Sequence, residues 1–216
     1  MKKTVFVFGD SNTWGWKPEN DLTKQIERFD DDERWAGVMG LELGSGYRVI
    51  VNGLNGRTTV HDDPIEEFRC GAEQIIPSMD AAAIFDLMII FLGTNDLKVR
   101  YTVTAQDIAN SAGLLVQKAA GRADDFKNRQ PRVILVCPPP IGPFSRDIFR
   151  EMFGGNEEKS RRFPPYFKAA AAVTGALFFD AGRVIKSSEI DGIHLDADQH
   201  AILGEAMASE VKKAIG

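Results

Sequence analysis

The chain is poor in cysteine, with only Cys70 and Cys137 among 216 residues. That count excludes a disulfide-stapled scaffold and a cysteine-built metal centre. The two are expected as separate buried thiols in a reducing compartment. Histidine is equally sparse: His61, His194 and His200 are all there is. A zinc site takes three or four ligands at regular spacing. The three histidines show no such spacing, and His61 beside Asp62 and Asp63 does not complete a set, so no metal is expected. Long apolar runs are absent too. No stretch approaches the ~20 residues that cross a bilayer, so no membrane span is expected. Positive charge is not in excess: 26 Lys and Arg stand against 31 Asp and Glu, a net charge of −5. Nothing draws such a chain to nucleic acid or to an anionic membrane. Met1-Lys2-Lys3 leads straight into an apolar run too short for a signal-peptide core, and a cytoplasmic location is expected. With no repeat, low-complexity tract or composition break, residues 1–216 are expected to form a single domain.

What is present reads as a soluble globular protein, with 44% hydrophobic and 26% charged residues. Thr4 to Phe8 is a short apolar, β-branched run that predicts a buried strand. Tyr47 to Val51, Leu87 to Leu92, Val133 to Val136 and Ala176 to Phe179 predict four more. Helical spacing covers Glu33 to Leu43, stopped by Gly44, then Gly71 to Ala83, where Pro77 predicts a kink or a split. Thr104 to Ala119 follows with Thr104 as N-cap, then a polar connection from Arg122 to Gln130. Phe144 to Phe153 predicts a short helix in a loop. Glu157 to Thr174 is helical but broken at Pro164-Pro165, and Asp198 to Ile215 closes the chain as an amphipathic helix. Strand and helix alternate without hairpins. That order implies an α/β protein with a parallel sheet covered on both faces.

Four segments carry polar residues of chemical interest: Gly9-Asp10-Ser11, Asn55-Gly56, Gly93-Thr94-Asn95-Asp96 and Asp191-Gly192-Ile193-His194. The first three leave a parallel sheet on its carboxyl edge, where α/β enzymes hold ligands. The fourth follows the fifth strand and reaches the same edge. These residue types suit acyl transfer. A serine hydroxyl needs a base to take its proton, and imidazole is that base near neutrality. Ser11 is therefore the candidate nucleophile, His194 the base and Asp191 the carboxylate that orients it. The backbone N–H groups of Ser11 and Gly56 and the side-chain amide of Asn95 are candidate oxyanion donors. Each segment is also ordinary turn composition. His200, expected on or near the exposed start of the last helix, is the lesser candidate for the base. Trp14, Trp16, Phe144, Phe149 and Phe153 are candidates for an apolar pocket and equally for core or subunit interface. Two other functions compete. Gly-Asp and Asn-Asp pairs also occur around the metals of phosphoesterases, a reading weakened by the few histidines. A catalytically inactive binding module on the same fold is the other, and the intact Ser, His, Asp and Asn set argues against it.

The four segments resemble the four sequence blocks of the SGNH hydrolases, also called GDSL esterases/lipases. Ser11, Gly56, Asn95 and His194 match the four residues that name that family, and Asp191 matches its Asp-x-x-His acid. Longer stretches resemble its bacterial arylesterase/acyltransferase (perhydrolase) subgroup. They are Phe8-Gly9-Asp10-Ser11 with Thr13 to Trp16, Gly53-Leu54 with Arg57 to Thr59, Leu92 to Asp96, and Phe178 to Gly182. The resemblance implies a flavodoxin-like, three-layer α/β/α fold on a five-stranded parallel sheet. It implies no cofactor and a small carboxylic ester as substrate, with acyl transfer to alcohols or peroxide as a related activity. It also implies a symmetric homo-oligomer larger than a dimer, an octamer being one such assembly. The loops Trp14 to Asp32 and Thr58 to Arg69 would build it, with Trp16, Ile26, Phe29, Ile65 and Phe68. Asn12 departs from the subgroup, which commonly has Leu beside the nucleophile. With Trp16, Phe149 and Phe153, Asn12 is expected to line the substrate pocket and make one side of it polar.

Overall fold

A computed structural model describes residues 2–82, 84–123 and 131–216. Five strands form one sheet: β1 (Lys3–Gly9), β2 (Tyr47–Gly53), β3 (Leu87–Phe91), β4 (Arg132–Cys137) and β5 (Leu177–Asp180). All pairs are parallel, in the order β2-β1-β3-β4-β5. Among the described residues eight α-helices accompany them: α1 (Ser11–Trp14), α2 (Trp35–Leu43), α3 (Gly71–Ala82), α4 (Ala105–Ala123), α5 (Asp147–Phe153), α6 (Glu157–Arg161), α7 (Phe163–Thr174) and α8 (Ala197–Ile215).

The three central strands, β1, β3 and β4, carry apolar residues on both faces because both faces are covered. Successive side chains of a strand point to opposite sides. Val5 and Val7 of β1 enter the core with Trp35 and Met39 of α2 and Leu203 and Met207 of α8. Phe6 and Phe8 enter the opposite core with Ile75 of α3, Ile108 of α4 and Phe167 of α7. Strands β3 and β4 divide in the same way, with Met88, Ile90, Val133 and Leu135 in the second core. Each fully buried apolar side chain of this kind contributes about 1.5–3 kcal/mol. The three-layer α/β/α fold is thus the one implied by the sequence. No described helix is long and apolar enough to cross a membrane.

Two expectations about proline resolve differently. Helix α3 runs unbroken through Pro77. Proline removes the hydrogen bond to the carbonyl four residues back, that of Glu73; both residues lie on the exposed face, where water can take that carbonyl. Pro164-Pro165 behave as expected: α6 ends at Arg161, and the prolines stand in the first turn of α7. Thr104 caps α4, its Oγ1 accepting the Asp107 N–H at 3.1 Å. Arg122 belongs to α4, and the rest of the expected polar connection, 124–130, lies outside the described residues. Cys70 and Cys137 are free and buried.

Candidate active site

Strands β2 and β3 flank β1, so the chain reverses its direction of travel across the sheet between them. Open α/β sheets bind ligands at such a switch point. Gly9, Gly53 and Phe91 are in register there, and the segments after them converge. Ser11 opens α1 directly beyond β1, with the Asp10 carboxylate accepting the Asn12 N–H at 3.0 Å. The turn is tight enough to demand glycine at position 9: a Cβ there would lie 2.1 Å from Thr13 Oγ1. Gly56 has φ +75, a left-handed conformation that suits glycine.

Ser11, His194 and Asp191 are brought into one hydrogen-bonded line. Ser11 Oγ lies 3.0 Å from His194 Nε2, and His194 Nδ1 lies 2.6 Å from Asp191 Oδ2. Asp191 Oδ1 accepts the backbone N–H groups of Ile193 and His194, each at 2.9 Å. Burial of Asp191 pushes its carboxyl pKa up, but His194 and the two backbone donors outweigh it and hold the pKa below 3.8. With the carboxylate ionised, the imidazole keeps its proton on Nδ1 and presents Nε2 to the hydroxyl. The ring is held from two more sides: Trp16 stacks on it at 5.2 Å, and Phe149 meets it edge-on at 5.8 Å.

Ser11 and His194 border a cavity of about 280 Å³, as do the two other expected oxyanion contributors, Gly56 and Asn95. Its lining is otherwise mostly apolar, with Trp16, Leu22, Ile148, Phe149, Met152 and Phe153 prominent, and Asn55, Glu66 and Lys98 add polar groups. Of the aromatic residues singled out from sequence, Trp16, Phe149 and Phe153 border the cavity. Trp14 and Phe144 do not border the cavity.

Asn12 does not line the cavity either, which corrects the expectation of a polar side beside the nucleophile. It is buried, and its Nδ2 donates to the Ile193 carbonyl at 3.3 Å. Consecutive helical residues point about 100° apart, so with Ser11 toward the cavity, Asn12 turns into the protein behind it. His200 is also corrected. It is fully buried, not exposed. Its Nδ1 accepts the Trp35 N–H at 3.3 Å, and the Phe29 ring meets it edge-on at 5.0 Å. Burial pushes its pKa down to about 4, with the nearby charge of His194 adding to the effect.

Several residues that hold the site were assigned no role from sequence. Arg57 is buried and donates to the carbonyls of Gly9 at 2.7 Å and Asn52 at 2.8 Å, clamping the ends of β1 and β2. Its guanidinium lies 4.0 Å over the Phe8 ring, and burial lowers its pKa to about 10. Asp96, next to Asn95, accepts the Thr59 N–H at 3.0 Å and the His61 ring nitrogen Nδ1 at 2.8 Å. This joins the loop after β2 to the loop after β3. Its hydrogen bond raises the pKa of His61. Asp10, behind the nucleophile, has its pKa raised by burial to about 6. His61 belongs to this network. The ligand atoms of Asp62, Cys70 and Glu73 do lie within 4.8 Å of one another, but none of the three borders the cavity.

The sequence matches the model of the GDSL-like lipase/acylhydrolase family over residues 7–202. No curated protein matches it. Among solved structures it is similar to Est24, a carbohydrate acetylesterase from Sinorhizobium meliloti, with 39% identity and a TM-score of 0.93 over 98% of this chain and 99% of that one. It is similar to the native M. smegmatis aryl esterase, with 37% identity and a TM-score of 0.94 over 99% of this chain and 100% of that one. A carbohydrate acetylesterase family member from Sinorhizobium meliloti is similar at 32% identity and a TM-score of 0.91, over 99% of both chains.

Proposed function

The chain belongs to the GDSL-like lipase/acylhydrolase family, and from that premise we propose that it hydrolyses small carboxylic esters through an acyl-enzyme on Ser11. The observation that carries this reading is the Ser11–His194–Asp191 line opening onto a cavity that Gly56 and Asn95 also border. Ser11 Oγ attacks the carbonyl carbon and gives its proton to His194 Nε2. Asp191 keeps the imidazole in the required tautomer and stabilises the imidazolium. The oxyanion that forms is taken up by the backbone N–H groups of Ser11 and Gly56 and the Asn95 amide. Collapse breaks the bond to the alcohol, which leaves with the proton from His194. Water then enters, gives a proton to His194 and releases the acid.

An alcohol or peroxide in place of water gives acyl transfer. The similar structures are an aryl esterase and carbohydrate acetylesterases; the second supports a short acyl group here, and the two differ in the alcohol they name. We propose a cytoplasmic location, a compartment in which the two unpaired thiols would stay reduced. A homo-oligomer is supported by Ile65 and Phe68, 73% and 79% exposed beside the cavity-lining Glu66; Phe29, by contrast, is buried within the chain. Hydrolysis of p-nitrophenyl acetate by the purified protein, with Ser11→Ala as blank, tests the reaction. Turnover that needs Ser11 and survives EDTA supports a serine esterase. Turnover abolished by EDTA would instead favour a metal-dependent hydrolase.

A further inference from the structure

We propose that Arg57 is a positioning residue for the reaction: its guanidinium fixes the turn that carries the Gly56 N–H against the strand end that carries Ser11. The proposal rests on the serine-esterase reading, in which Gly56 and Ser11 supply oxyanion donors.

The turn comes first. Leu54 to Arg57 leads out of β2, and the Arg57 N–H donates to the Leu54 carbonyl at 3.1 Å. Gly56 stands inside this turn with φ +75. The Leu54 N–H donates to the Gly9 carbonyl at 3.1 Å, and Arg57 Nη1 donates to the same oxygen at 2.7 Å. Both ends of the turn therefore hang from one atom at the end of β1. That atom belongs to the residue two positions before Ser11.

The guanidinium is itself held in place. Nη1 also donates to the Asn52 carbonyl at 2.8 Å, and Nη2 to Asn52 Oδ1 at 2.7 Å. From α3, Gln74 Oε1 accepts from Nη2 at 2.9 Å and from Nε at 3.0 Å. The Phe8 ring, next to Gly9, lies 4.0 Å from the guanidinium carbon. A planar fork of donors spans such a set; an ammonium on a flexible stem does not. Charge pairing does not account for the residue, since all of these acceptors are neutral. Desolvation outweighs the attraction of Asp10, and Arg69 adds repulsion, so the cation's pKa falls to about 10. What the guanidinium supplies is geometry.

Geometry is what an oxyanion donor needs. Such donors act at about 2.7–3.1 Å from the oxyanion, and a misplacement of about 1 Å can cost about 10²-fold in rate. Without the guanidinium, the Leu54 N–H is left as the tie between the turn and the Gly9 carbonyl. Arg57 does not border the cavity. Its influence on the reaction passes through Gly56 and falls on kcat more than on KM.

Kinetics of the full chain on p-nitrophenyl acetate test the proposal, at a temperature where thermal melts show each variant folded. Arg57→Ala is expected to lower kcat by about 10–100-fold, with KM changed less than about threefold. Guanidinium chloride far below denaturing concentration is expected to recover most of that loss, and none of the loss in Asn95→Ala. Arg57→Lys keeps the charge but not the fork, and its kcat is expected within about threefold of Arg57→Ala. Gln74→Met removes two hydrogen bonds from the guanidinium and leaves Arg57 in place. It is expected to lower kcat about threefold at unchanged KM. Should Arg57→Ala not fold, Gln74→Met decides, and wild-type kcat in it would overturn the proposal. A folded Arg57→Ala with wild-type kcat, or with its loss in KM, would overturn it and leave the esterase reading standing. So would wild-type kcat in Arg57→Lys. A wild type that hydrolyses no more ester than Ser11→Ala would overturn both readings.

Discussion

Among the described residues two histidine–aspartate pairs stand at the same edge of the sheet, and one of them has a serine hydroxyl in line with it. His194 and Asp191 meet at 2.6 Å, His61 and Asp96 at 2.8 Å. Both carboxylates are fully buried. The difference lies in what else each pair touches. Asp191 spends its second oxygen on backbone N–H groups of its own loop, and the far nitrogen of His194 faces the Ser11 hydroxyl. Asp96 spends its oxygens on the N–H and hydroxyl of Thr59, across the gap between two loops. The His61 ring packs against Tyr101 and does not border the cavity. A histidine beside a carboxylate has a proton to take only where a hydroxyl completes the line. Elsewhere the same pair is a clasp.

The sharpest way to break this comparison is to remove each member in turn. Ser11→Ala and His194→Ala are expected to lower kcat for p-nitrophenyl acetate by about 10⁴-fold or more. His61→Ala is expected to cost less than about tenfold. A comparable loss in His61→Ala would make the two pairs equivalent and the distinction false. Asn95→Ala is the next largest effect: kcat falls about 10²–10³-fold with a smaller change in KM, as for an oxyanion donor. An unchanged kcat would leave Asn95 a structural residue.

The histidines also separate by the sign of their effect on stability. His61 has a raised pKa, from its hydrogen bond to Asp96. Its contribution is fully present below pH 6.5 and is lost as pH rises through the folded-state value. The melting temperature of His61→Ala should therefore lie below the wild type's by about 2–4 °C at pH 6, assuming ~1 kcal/mol for the bond. The gap should narrow by pH 9. His200 has the opposite sign, because burial lowers its pKa to about 4. Its contribution is present above pH 6.5 and is lost as pH falls toward 4. His200→Asn should melt lower overall, with a flatter pH dependence between 6.5 and 4. Thermal melts across pH check both. A gap for His61→Ala that widened with rising pH would refute its role as a clasp.

Much of this was legible in the sequence, for identifiable reasons. A parallel sheet covered on both faces writes its strands as continuous apolar runs, and Leu87 to Phe91 is one. Such strands end in glycine and small polar residues, so Ser11, Gly56 and Asn95 stood out at strand ends. The four blocks kept their order, and with them the resemblance to the family. The misplaced residues are those whose environment is set by distant packing. His200 sits in the first turn of a helix, a position that reads as exposed, but Trp35 and Phe29 cover it. Asn12 follows Ser11 in sequence, but helical geometry turns it away. Lys98 and Glu66 drew no reading at all, because nothing local shows that a loop 32 residues away supplies the partner. Asp96 looked like half of a turn, and its role needs Thr59 and His61.

The central claim is that Ser11 is activated by His194 and no other hydroxyl is. Labelling the wild type, His194→Ala and His61→Ala with a fluorophosphonate probe, followed by peptide mass mapping, tests it directly. The account predicts one adduct on Ser11 in the wild type and in His61→Ala, and none in His194→Ala. An adduct on another residue, or a Ser11 adduct that survives in His194→Ala and is lost in His61→Ala, would contradict it.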